Sequence, residues 1–218
     1  MSTDTDKLIQ KLSGDLKPVK PLLPAPLRAG CICAFSLVAV FGGIFAVSHG
    51  MRADLADQLA QVPFLLQTGA MLAAGIFAAF AACRLCVPDT RIRAPVKAML
   101  GLSSLLWLLL IASAVRLGGL GYAIPGEGNC LTDLSLLAVL PLAAICFLMT
   151  RGAPVWRGWA GFAMTLATGS FAALGMRLLC PNDDAGHLLV WHFLPVLAFA
   201  LAGVALGKIL LKQKIAKI

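Results

Sequence analysis

Seven cysteines and three histidines are the residues of this 218-residue chain best suited to chemistry. Thiolates are the nucleophiles and soft metal ligands of proteins, and neutral imidazoles bind the same borderline ions. Cys130 and Cys180 sit at the edges of long apolar runs, and His49, His187 and His192 fall near the ends of such runs. Two thiolates with imidazoles suit Zn²⁺, Cd²⁺ or Cu⁺. The same two thiols also suit a redox or thiol-reactive sensor, or a structural disulfide. Cys83-x-x-Cys86 and Cys31-x-Cys33 need separate treatment. A lone CxxC can be a redox motif or half a zinc site, but here it falls at helical spacing on an apolar run, where cysteine packs as a small hydrophobe.

The elements that must position these groups are membrane helices. The chain is 60% hydrophobic and only 13% charged, whereas a soluble domain carries about a quarter charged residues. A span takes about 20 mostly apolar residues. Six windows qualify: 29–48, 62–83, 98–115, 131–150, 158–176 and 188–207. The expected fold is an all-α six-helix transmembrane bundle over residues 29–210, preceded by a polar segment, 1–28, and followed by a short basic tail, 211–218. No signal-peptide pattern opens the chain. Small residues in the spans, Gly42, Gly43, Gly69, Gly161 and Gly169 among them, allow close helix packing in lipid. Pro141 and Pro195, inside spans, predict local kinks.

Charge sets the orientation. Of 18 Lys and Arg, all but Arg52, Arg116 and Arg177 fall on one side of this topology. Basic flanks stay cytoplasmic, so both termini are expected in the cytoplasm and the net charge of +8 reports topology and anionic lipid, not nucleic acid. Cys130 and Cys180 then lie on the oxidising side and Cys31, Cys33, Cys83 and Cys86 on the reducing side. Cys146 falls within the fourth span.

Helical arithmetic sets Cys130 and Cys180 level. The fourth and fifth spans form a hairpin closed by the turn 151–157. Cys130 stands 21 residues before Arg151 and Cys180 stands 23 after Arg157. At about 1.5 Å per residue both climb roughly 32–35 Å. Cys130 opens a helix, whose dipole favours a thiolate, while Cys180 closes one beside Asn182, Asp183 and Asp184. Cys130 is therefore expected to be the more reactive thiol.

The polar N-terminal segment carries one pattern. Leu8, Ile9, Leu12 and Leu16 lie on one face of a short helix, and Pro18 and Pro21 force an extended stretch after it. Such a helix is marginal alone. It can lie on the membrane surface or fill a partner's groove.

Two strings resemble a known family. One is Asp6, Leu8, Ile9, Leu12, Asp15, Pro18, Val19, Pro21 and Leu22; the other is Leu179, Cys180, Pro181, Asp183, His187, Trp191, His192 and Pro195. With six spans and Cys130 between them, the chain resembles the NrsF family of bacterial anti-sigma factors, negative regulators of sigma F. The resemblance implies a multi-pass protein of the bacterial inner membrane that sequesters an extracytoplasmic-function sigma factor, without enzyme activity or a required cofactor. It implies docking of sigma on Leu8, Ile9, Leu12, Asp15, Pro18 and Val19. It implies sensing of heavy metal or oxidative stress at Cys130 and Cys180; transient binding of Zn, Cd or Cu there, with His49, His187 and His192 as auxiliary ligands, is what the residue types themselves suggest. Cys31, Cys33, Cys83, Cys86 and Cys146 are extra to the pattern and leave open a second thiol site.

Two rival classes remain from the residues alone. A membrane thiol-disulfide oxidoreductase needs a second pair to relay electrons, and only one outer pair is present. A small-solute transporter favours charges or broken helices near the midplane, and no span carries a central Asp, Glu, Lys or Arg.

Overall fold

The architecture comes from a computed structural model, which describes residues 3–14, 22–48, 50–88, 92–118 and 129–211. A short helix α1 (Thr3–Gly14) precedes the bundle. The bundle helices are α2 (Ala25–Ser48), α4 (Val62–Leu85), α5 (Ala94–Gly118), α6 (Cys130–Thr150), α7 (Arg157–Leu179) and a composite sixth. That sixth runs from α8 (Ala185–His187) through a π-helical segment (Leu188–Phe193) into α9 (Leu194–Leu210). A single turn, α3 (Leu55–Leu59), lies between α2 and α4. Among the described residues six helices are thus long and apolar enough to cross a membrane. The first begins at Ala25, four residues before the expected Ala29, because Pro26 is tolerated in a helix's first turn.

Helix α7 is the axis of the bundle. Of its membrane window 83% is buried, against 22–39% for the other five. Composition explains this. A run such as Ala167, Thr168, Gly169, Ser170, Ala172 and Ala173 is small on every side, so neighbours close in all round. The closest approach is to α9, where a Cβ on Gly161 would strike the Gly203 carbonyl and one on Gly203 would strike Thr165. Of the glycines expected at interfaces, Gly43, Gly161 and Gly169 sit against neighbours, while Gly42 and Gly69 face open space. The hydroxyls of α7 bond their own helix, as Thr165 does to the Gly161 carbonyl. Ser170 also accepts from Trp107 Nε1 at 2.8 Å, tying α5 to the axis.

The helices alternate in direction along the chain. One end of the bundle carries the start of α2, the end of α4 and the start of α5 and α7. The other carries Arg52, the start of α6, the end of α7 and α8. We call these the N-terminal end and the thiol end.

Candidate metal and thiol centre

Cys130 is the first residue of α6 and Cys180 caps the C-terminus of α7 in extended conformation. The chain turns through 181–184 into α8. There Asp184 accepts from the His187 N–H at 3.0 Å, a side-chain N-cap that sets the angle of the histidine. His187 Nε2 lies 3.6 Å from Cys130 Sγ and 3.6 Å from Cys180 Sγ, and the two sulfurs are 4.0 Å apart. Both cysteines are free thiols.

The fourth member arrives by an irregularity. His187 and His192 are five residues apart, and α-helical neighbours are three or four apart. Pro195 has no N–H to give the ladder. Instead the Leu194 N–H reaches the Leu189 carbonyl, an i→i+5 bond, in a π-helical turn. That register brings residues five apart onto one face. The two imidazoles meet edge to face at 5.3 Å between centroids. The proline expected to kink the sixth span stands just beyond this π turn.

Four ligand atoms, from Cys130, Cys180, His187 and His192, thus lie within 4.8 Å of one another, and all four residues are buried. Zinc takes sulfur at about 2.3 Å and nitrogen at about 2.0–2.1 Å in a tetrahedron, which sets S···S near about 3.8 Å and S···N near about 3.6 Å. The observed edges are 4.0 and 3.6 Å. His192 adds a second fit. Both its ring nitrogens are buried without a hydrogen-bond partner among the described residues. An unsatisfied buried nitrogen costs about 1–3 kcal/mol, and a metal ion would satisfy one. Oxidation is the other chemistry open to the pair, since the sulfurs need close only to about 2.05 Å.

A buried cation braces this centre. Arg52 Nε and Nη2 donate to Asp54 at 2.7 and 2.8 Å, and Nη1 donates to Asp183 at 3.0 Å. Nη1 also reaches the Cys180 carbonyl at 3.1 Å, and the Arg52 backbone N–H bonds Leu178 at 3.0 Å. Arg177 shares Asp183, and both guanidiniums stack near the Phe64 ring. The Arg52 side chain holds the Asp54 carboxyl down at about 2. Burial pushes Asp183 up, but Arg52 and Arg177 outweigh it and leave its carboxyl below the ordinary range. The two carboxylates in turn raise Arg52, Asp54 foremost.

Of the three polar residues expected to disfavour a Cys180 thiolate, Asn182, Asp183 and Asp184, the second is paired with Arg52 and Arg177, and both sulfurs stand equally far from His187. Of the expected site residues, Cys130, Cys180, His187 and His192 converge. His49 lies outside the described residues, as do Asp15, Pro18 and Val19. Helix α1 exposes Leu8 and Ile9, each more than half exposed; the Leu12 side chain is outside the described set. Sequence reasoning missed Arg52, Arg177 and Asp184 as site residues. The signal available was a rare arginine on a sparsely charged side, with a carboxylate in another loop of that side to meet it.

At the N-terminal end, Cys83 and Cys86 are buried, and Cys86 Sγ lies 3.6 Å from the Leu148 carbonyl. Among the described residues they join no cluster of three or more metal ligands.

Comparison with known proteins adds a family. A family model described as negative regulator of sigma F matches residues 12–212. The anti-sigma-F factor NrsF of Caulobacter vibrioides (strain NA1000 / CB15N) is 40% identical over 78 residues, which is 35% of this chain and 36% of that relative. The match therefore spans little more than a third of the relative's length. No solved structure matches the chain with significance.

Proposed function

The chain belongs to the negative regulator of sigma F family, and on that premise we propose that it is an anti-sigma factor of the bacterial inner membrane with a metal- or redox-sensing centre. In this reading both termini are cytoplasmic and the thiol end faces outward. The N-terminal segment, through Leu8, Ile9, Leu12, Asp15, Pro18 and Val19, holds an extracytoplasmic-function sigma factor. The observation that carries the sensor is the buried Cys130–Cys180–His187–His192 set, with two ring nitrogens left unsatisfied.

The mechanism uses this chain's own residues. At rest, His187 lies between two thiols and Asp184 holds its backbone. Cys130, Cys180, His187 and His192 would hold a soft or borderline ion, which would supply the free energy of four ligand bonds. Oxidation instead joins the two sulfurs, releasing two protons and two electrons to an oxidant. Ligation by all four residues would close the start of α6 and the end of α7 onto α8, whereas the disulfide closes the start of α6 and the end of α7 onto each other. Helix α7 touches α2, α4, α6 and α9, so a shift at its C-terminus reaches the far end through the axis. A coupling of a few kcal/mol suffices, because about 1.4 kcal/mol is tenfold in affinity.

The test is co-purification. Full-length protein solubilised from its native membrane should carry a sigma factor, and adding Cd²⁺ or a thiol oxidant should release it. Cys130→Ser with Cys180→Ser should keep sigma bound under both treatments. Normal release by that double variant would place the sensor elsewhere.

A further inference from the structure

At the N-terminal end a cavity of about 540 Å³ opens between the starts of α2 and α5 and the end of α4. Arg28, Arg84 and Arg93 line it, together with Leu23, Val96 and Trp156. Among the described residues no carboxylate lines it. Arg84 and Arg93 stand exposed at its rim, while Arg28 is only 4% exposed. Arg28 Nε donates to the Leu23 carbonyl at 2.8 Å and Nη2 to the Cys83 carbonyl at 3.0 Å. Its third nitrogen, Nη1, is buried without a partner among the described residues.

A buried, always-charged guanidinium with an unused donor calls for an acceptor that carries negative charge. Two more arginines beside it select a doubly coordinated oxyanion over a neutral carbonyl. The remaining walls are apolar, and the cavity sits where three candidate spans begin or end, the level at which headgroups meet a spanning helix. A tryptophan there is a usual interfacial residue. The chemistry required is a phosphate with hydrocarbon attached on one side.

We propose that this cavity binds the phosphate of an acidic phospholipid, with Arg28 Nη1 as its innermost donor and Arg84 and Arg93 as its outer clamp. The consequence lies in Leu22, Leu23 and Pro24, which form one wall and join the N-terminal segment to α2. Arg28 already holds the Leu23 carbonyl, so a lipid on the same guanidinium fixes where that segment leaves the membrane. This site does not depend on the anti-sigma reading.

The experiment uses full-length protein in nonionic detergent and native mass spectrometry. Phosphatidylglycerol, phosphatidylcholine with the same chains, and inorganic phosphate are offered separately. Wild type should retain one phosphatidylglycerol and little phosphatidylcholine. Arg84→Gln with Arg93→Gln, both on exposed residues, should weaken phosphatidylglycerol retention roughly tenfold or more. Arg28→Lys preserves net charge and should remove the preference for phosphatidylglycerol. Equal retention of the two lipids, or unchanged retention by either variant, overturns the site. Binding of inorganic phosphate with no lipid retained overturns the lipid assignment in favour of a soluble phosphate.

Discussion

At the thiol end the Arg52 side chain donates to Asp54, to Asp183 and to the carbonyls of Cys180 and Pro181, and a capping aspartate holds His187. In the segment before the bundle, α1 leaves Leu8 and Ile9 in the open. The first region is assembled before any ligand arrives. The second is a helix of 12 residues, shorter than isolated helices need for stability in water. Pre-assembly lowers the cost of capturing a small ion, because little chain entropy remains to be lost. An exposed apolar stripe is suited to a macromolecular surface that supplies the missing burial. Differences in how each region tolerates substitution follow from this.

The largest effect belongs to the thiolates. Apparent zinc affinities of four-ligand sites reach about 10–16 kcal/mol, so each ligand contributes about 3 kcal/mol. Cys130→Ser with Cys180→Ser should therefore weaken Zn²⁺ binding by at least about a thousandfold in a competition titration with a chelating dye. A loss of less than tenfold would show that these residues do not hold the ion.

The brace comes next. Asp183→Asn leaves Arg52 and Arg177 buried with a weaker partner. Breaking a fully buried pair costs about 3–5 kcal/mol. Asp183 keeps 35% of its side chain exposed, so solvent softens the loss to about 2–3 kcal/mol. The thermal midpoint of the metal-free protein should fall by roughly 5–10 °C. pH acts on the same network. Asp54 and Asp183 have folded values below their unfolded ones, so their contribution is complete above the unfolded value and is lost as pH falls. Wild-type stability should hold from neutral pH to about 5 and drop below about 4, toward the Asp54 value of about 2. Asp183→Asn should flatten that drop.

His192 separates ligand from packing. His192→Phe removes two unsatisfied nitrogens, each costing about 1–3 kcal/mol, and keeps a ring of similar size. The metal-free variant should melt higher than wild type, while its stabilisation by Zn²⁺ shrinks. A variant that melts lower without metal would mean that the imidazole has a polar partner.

Much of this was legible in the chain. Six apolar windows appear as six helices because length and composition alone decide membrane spans. The level of Cys130 and Cys180 followed from helical rise, and their sulfurs stand 4.0 Å apart. The convergence of His187 with His192 was not legible, since a five-residue spacing belongs to different faces of an α-helix and the π turn depends on backbone bonds. The central place of α7 was half visible. Gly161 and Gly169 were marked as close-packing residues, but Gly203 and Gly207, which meet Gly161 from α9, were not. Arg52 was counted as a topological charge, because nothing along the sequence links it to Asp183, 131 residues away.

The smallest stability effect should come from α1. Leu8→Asp with Ile9→Asp touches exposed side chains, and such changes stay within about 0.5 kcal/mol. The thermal midpoint should be that of wild type, and so should the Zn²⁺ affinity, since no ligand is altered. Sigma-factor retention should behave otherwise. Burying one Leu or Ile in a partner's groove yields about 1.5–3 kcal/mol, so losing two should cut retention about a hundredfold or more in co-purification. This pairing of no stability loss with large binding loss is the inverse of Asp183→Asn. If sigma is retained at the wild-type level, the stripe lies on the membrane surface, and the docking contact must be carried by the chain between α1 and α2.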